Sequence, residues 1–295
     1  MSAVAPGPRP CPLCAGTELA PVFYPPLVRC GGCGLVFRNL AGLQERVREG
    51  FDTIYSQPAL DQWVQARRSR LYREFLARYH AAPGRNRLVD VGCGAGQFLA
   101  LAREQGWEVM GIEIAEAGVQ AARAAGLLVR VGSLPAVALP ESSFDVVTFW
   151  NVLDCVPDPV EQLKAAKRAL VPGGMFFARV NNLAFHAALY RANRLLRPRP
   201  RLADLFLRQY IFNQISFDRR TLRRALEQAE FRRIRIVNSP PVYGDPYRTG
   251  PPAYEMAIEL SKRSVYGLAW LMASLTGGRL LWASSLTAEA VNEGG

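Results

Sequence analysis

Short apolar runs alternating with amphipathic stretches dominate the middle of the chain. The first apolar run, 88–91, ends in alternating glycines, and 97–103 then repeats its apolar residues at helical spacing. Further runs follow at 107–112, 128–131, 144–150 and 175–180, with helical patterns over 115–125 and after Pro159. Nearly continuous apolar strands alternating with helices predict a parallel sheet covered on both faces. Upstream, Leu71, Phe75, Leu76 and Tyr79 share one face of a helix expected over 60–82 and stopped by Pro83-Gly84. Downstream, helices are expected from 183 to 196, on to about Tyr210, over 219–229 with Ser216 as N-cap, and from 254 to about 275 with Gly277-Gly278 as its stop. Strands are expected at 231–237 and near 280–291.

The glycines Gly92, Gly94 and Gly96 have Gln97 where the dinucleotide fingerprint needs its last glycine, so their spacing alone is weak evidence. Glu113 adds to it. An acid ending the second strand of an open α/β sheet accepts hydrogen bonds from the ribose hydroxyls of an adenosine cofactor.

Four segments carry a resemblance: Val89-Asp90-Val91-Gly92-Cys93-Gly94-Ala95-Gly96, Gly111-Ile112-Glu113, Ser143-Phe144-Asp145-Val146-Val147 and Leu170-Val171-Pro172-Gly173-Gly174. In this order they resemble the class I S-adenosylmethionine-dependent methyltransferases. The resemblance implies a Rossmann-like α/β sheet of seven strands, the last antiparallel. It also implies cofactor contacts at Asp90, Gly92, Gly94, Gly96, Glu113, Ile114, Ser133, Leu134, Asn151 and Val152. Relatives commonly place an acid after the third strand, where this chain has Gly132-Ser133-Leu134, and often a histidine where it has Cys155.

The cysteines add a second feature. Cys11-x-x-Cys14 and Cys30-x-x-Cys33 enclose fifteen residues, the spacing of a four-cysteine structural zinc site. Disulfide pairing is the alternative. The opening residues lack the apolar core of a secretory signal, which favours zinc and a cytoplasmic chain. The expected organisation is a zinc ribbon at 1–40, linking helices at 41–86, the cofactor domain at 87–180 and 216–295, and an inserted acceptor cap at 181–215.

Charge changes the picture little. The net charge is +11, but 33 of the 36 basic residues are arginines spread along the chain, without an interleaved aromatic platform for nucleic acid. The uncharged run 264–278 falls short of the ~20 residues that span a bilayer, leaving peripheral membrane contact as an option. Of two histidines, His80 is expected at the surface and His186 lies in the expected cap as the best general base; Asp154 and Tyr243 are weaker candidates. A ribbon followed by this domain resembles bacterial methyltransferases of sugar and secondary-metabolite pathways. That implies methyl transfer to a small molecule, to oxygen rather than carbon. An RNA methyltransferase and a non-catalytic cofactor-binding regulator are the alternatives, and the oligomeric state is not legible.

Overall fold

The computed structural model describes residues 9–40, 48–50, 52–53, 58–196, 211–242 and 252–294. The N-terminal segment forms an antiparallel sheet from β1 (Leu19–Pro21), β2 (Leu27–Cys30) and β3 (Val36–Arg38). Phe23 and Tyr24 lie in the bend between β1 and β2. Helix α1 (Pro58–Arg78) then leads into β4 (Arg87–Val91), α2 (Gln97–Glu104), β5 (Glu108–Glu113), α3 (Glu116–Ala124), β6 (Val129–Val131) and β7 (Phe144–Trp150). The chain continues through α4 (Pro159–Ala169), β8 (Leu170–Asn181), α5 (Leu183–Leu196), β9 (Ile215–Ser216), α6 (Arg219–Gln228), β10 (Arg232–Asn238), α7 (Pro252–Leu275) and β11 (Ser285–Val291).

The large sheet has seven strands in the order β10-β11-β8-β7-β4-β5-β6, with β11 antiparallel to both neighbours. The alternating pattern predicts the parallel core of this sheet, and the seven strands with an antiparallel last one are what the resemblance implies. Val89, Val147, Phe149, Phe176 and Ala178 face one helical layer containing Leu163, Leu222 and Leu226. Leu88, Trp150 and Phe177 face the other, where Phe75, Phe98 and Leu99 pack. Helix α1 therefore closes the second face through its aromatic stripe, with Tyr72 and Phe75 in edge contact with Trp150 at 4.9 and 5.7 Å.

Local chemistry moves several boundaries. Leu170–Gly174 belongs to β8 as an irregular start, with Phe144 opposite Leu170 but Val146 already opposite Met175. Helix α6 is capped by Asp218, not Ser216. Asp218 Oδ1 accepts from Thr221 N at 2.8 Å, while Asp218 N donates to Thr221 Oγ1 at 3.0 Å. Ser216 lies in β9. Helix α7 stops as expected: Gly278 has φ 74° and donates to Ala273 O at 2.7 Å.

The expected cap has a different role in the fold. β9 pairs with β3 as the fourth strand of the small sheet. Leu183, Ala187 and Phe212 are buried against Leu27 and Val36, and Tyr190 donates to Phe23 O at 2.7 Å. Arg38 Nη2 donates to Phe212 O at 2.8 Å. Part of 181–215 is thus the dock for the N-terminal sheet, and these side chains are occupied by it. The helical stretch expected on to Tyr210 lies outside the described residues.

Candidate active site

β4, β5 and β7 end side by side, bringing Asp90, Glu113 and Asn151 to one rim of the sheet. The turn after β4 takes Gly92 and Gly96 through φ 72° and 81°. A Cβ at Gly92 would collide with Val152, and one at Gly96 with Leu127, so side chains are excluded there on two counts. Gly96 caps α2 without a side-chain hydrogen bond, and the first turn of α2 carries no acid. Its leading N–H groups therefore remain available, with the positive end of the helix dipole behind them.

Glu113 is buried and does more than the sequence indicated. Its Oε2 accepts from Gly94 N, and its Oε1 accepts from both Ile114 N and Ala115 N, each at 2.8 Å. A carboxylate has about four lone-pair sites, so Glu113 has room for one further donor, on Oε2, rather than for two ribose hydroxyls. It braces the glycine turn with its own carboxylate. Burial raises its pKa, against the lowering effect of the three backbone donors. Asp90, also buried, accepts from Thr148 Oγ1 at 2.6 Å, and burial pushes its pKa up to about 8. A helix end suited to a carboxylate, an acid suited to an ammonium and an acid with one site for a hydroxyl together fit an amino-acid tail joined to a nucleoside.

The other expected contacts divide. Ile114 and Ser133 are half-buried at the strand ends, whereas Leu134 is buried in the core. Val152 packs over Gly92. Asn151 has φ 61°, an uncommon value for a residue with a side chain. Its Oδ1 accepts from Arg179 Nη1 at 2.8 Å, and Arg179 Nε donates to Ser239 Oγ at 2.9 Å. Arg179 and Thr148 were missed in the sequence, although each interrupts an otherwise apolar strand. A polar residue inside such a run is the signal that would have found them.

The expected bases are held in place. His186 is buried between two backbone partners, with Nε2 at 3.0 Å from Ser284 O and Nδ1 accepting from Ile211 N at 3.2 Å. Burial lowers its pKa to about 4. A neutral imidazole with both nitrogens bonded has no lone pair for an acceptor's proton, so the geometry makes His186 a tether rather than a base. Asp154 Oδ2 accepts from Asn181 N, Asn181 Nδ2 and Asn213 Nδ2 at 2.9–3.1 Å. His80 is exposed at the end of α1, and Tyr243 lies outside the described residues.

Cys11, Cys14, Cys30 and Cys33 place their Sγ atoms within 4.8 Å of one another as free thiols. The closest pairs are 3.4 Å for Cys14–Cys30 and 3.5 Å for Cys11–Cys33. That donor set and its compactness fit a tetrahedral thiolate site for zinc.

The chain is 35% identical over 138 residues to a ubiquinone biosynthesis O-methyltransferase of Methylococcus capsulatus. The match covers 43% of this chain and 58% of that protein, so the chain spans little more than half the length of such curated relatives. A methyltransferase solved with the Haloferax volcanii Trm112 methyltransferase activator superposes with a TM-score of 0.57 at 18% identity, covering 84% of this chain and 98% of that one. A SAM-dependent methyltransferase from Archaeoglobus fulgidus gives 0.50 at 17% identity, covering 77% and 94%. These two likenesses establish the fold. A family model described as a methyltransferase domain matches residues 64–235, more than half of the sequence, and the chain belongs to that family.

Proposed function

We propose that this protein transfers a methyl group from S-adenosylmethionine to a hydroxyl oxygen of a small molecule. The observation that carries the reading is the trio on one rim: the uncapped start of α2, buried Asp90, and Glu113 with one accepting site left. The α2 N–H groups would hold the cofactor's carboxylate, Asp90 its ammonium and Glu113 a ribose hydroxyl. When bound, S-adenosylmethionine supplies an electrophilic methyl group. The choice of oxygen rests on the named O-methyltransferase relatives, which give no support to a sugar acceptor.

Among the described residues, neither His186 nor Asp154 offers a free base at the rim. The protein's share of the chemistry is then alignment, which suffices when the acceptor hydroxyl ionises readily, as a phenol does. The four cysteines would hold a structural zinc ion, with no ligand position left for catalysis. A cytoplasmic setting agrees with free cysteines.

The test uses methyl-labelled cofactor with hydroxylated aromatic compounds, simple sugars and ribosomal RNA as acceptors. Label on a phenolic oxygen is expected, and label confined to RNA would overturn the reading. Glu113→Gln is expected to bind the cofactor at least tenfold more weakly, because the amide must point N–H at backbone N–H in either orientation. Unchanged affinity by calorimetry would remove Glu113 from the site.

A further inference from the structure

Helix α7 presents its apolar side to solvent. Ala269 is buried, its carbonyl accepts from Asn238 Nδ2 at 2.9 Å, and Ala273 packs on the core, which fixes the inward face. On the outer side Met256, Leu260, Leu268, Trp270, Leu271 and Leu275 are between 48% and 78% exposed. Among the described residues of α7, the exposed charge is Arg263, which is paired with Glu259 at 2.9 Å. Singly exposed apolar residues are ordinary, but six large ones on the outward side of one helix mark an interaction surface.

The stripe runs into a basic groove. Beyond Leu275 the chain turns through two glycines to Arg279 and Leu280, which line a groove of about 750 Å³ with Arg219, Arg220 and Arg224. Asp218 in this groove is taken up as the cap of α6, and Glu227 lies 3.7 Å from Arg223. Arg219, Arg220, Arg224 and Arg279 have no carboxylate partner among the described residues, and Arg219 Nε is buried without an acceptor. Asn182, which also lines the groove, directly follows β8 at its carboxyl end, on the rim where the active-site strands finish.

We propose that α7 and this groove form a docking surface for an anionic phospholipid bilayer, with the leucines and Trp270 in the acyl boundary and the arginines on lipid phosphates. The charge pattern selects this occupant. A second copy of a chain carrying +11 would set arginine against arginine. A free polyanion would satisfy the arginines but leave the leucines wet. No described helix is long and apolar enough to cross a membrane, so α7 would lie in the interfacial plane. The docked protein would turn the rim of its active site toward the lipid surface. This inference is independent of the acceptor's identity.

Vesicle flotation of the full chain tests it, with phosphatidylcholine alone or mixed with phosphatidylglycerol. Binding is expected only with the anionic lipid and should weaken as salt rises from ~0.05 to ~0.5 M. Arg224→Gln with Arg279→Gln should lose about fivefold per arginine. Leu271→Glu with Leu275→Glu should lose tenfold or more, with an unchanged melting temperature showing that both variants fold. If the glutamate variant unfolds, the arginine variant and the salt series decide. Equal binding to neutral vesicles, full binding by a folded variant, or a dimer on gel filtration that the glutamates dissociate would each overturn the proposal.

Discussion

Asp90 is 2% exposed, with Thr148 as its donor, and a buried carboxylate so placed favours its neutral form, hence the pKa of about 8. Between its ordinary value near 4 and about 8, the native state holds a proton that the unfolded chain has released. Stability should therefore fall as pH rises through that window, by at most about 1.4 kcal/mol per unit. The bound cation should draw the proton off, so cofactor affinity should rise with pH until about 8. Asp90→Asn is expected to bind weakly at every pH yet melt higher at pH 8, and a mutant that keeps the wild-type pH profile would exclude Asp90. His186 has the opposite sign. Its pKa falls from its ordinary 6.5 to about 4, so the stability it provides is full above 6.5 and is lost as pH drops toward 4. His186→Ala should cost about 1–3 kcal/mol and leave turnover per folded molecule nearly unchanged. A general base would show a loss of ~10²-fold or more, which would restore the catalytic role.

Elements exchange partners across the expected boundaries. β9 lies 177 or more positions after β3 yet pairs with it, and α5 buries Leu183 and Ala187 against β2 and β3. The cysteines lie in the same apolar cluster as Val89, Phe149 and Phe217, so the N-terminal sheet is packed on the cofactor domain, not suspended from it. Metal removal should therefore do more than unfold the first forty residues. Hydrogen exchange after chelation is expected to show lost protection in β1–β3, β9 and the start of α5 together, with β4–β8 still protected. Loss confined to 1–40 would mean that the dock is stable without its sheet. Elemental analysis finding no bound metal would remove the zinc site altogether.

The charge of +11 acts on the molecule as a whole, and non-specific RNA binding is its ordinary consequence. Many arginines are already paired: Arg78 and Arg235 both meet Glu289, at 3.0 and 3.4 Å, and Arg233 meets Glu293 at 2.7 Å. Arginine stacking on aromatic rings also serves the fold, with Arg9 5.4 Å from the Phe37 ring centroid. RNA binding is therefore expected to be weak at ~0.15 M salt and to fall steeply as salt is added. Tight, structure-selective binding with methyl transfer to RNA would count against a small-molecule acceptor.

What repeats locally is legible in the order of residues alone. Apolar runs, closely spaced glycines and an acid at a strand end are short-range signals, and from them the sheet, the glycine turn and the place of Glu113 followed, while Asp90 and Asn151 came from the resemblance. The paired Cys-x-x-Cys turns likewise converge on one point, because four thiol ligands share a single geometric requirement. What each polar side chain meets depends on contacts between positions far apart in the chain. His186 in a helix pattern reads equally as base or tether until Ser284, ninety-eight positions away, takes Nε2. Glu113 reads as a free acid until three backbone N–H groups occupy most of its lone pairs. The apolar face of α5 reads as a pocket wall until the N-terminal sheet covers it. Periodicity states that a face will be buried, but its partner depends on long-range packing that no local pattern encodes.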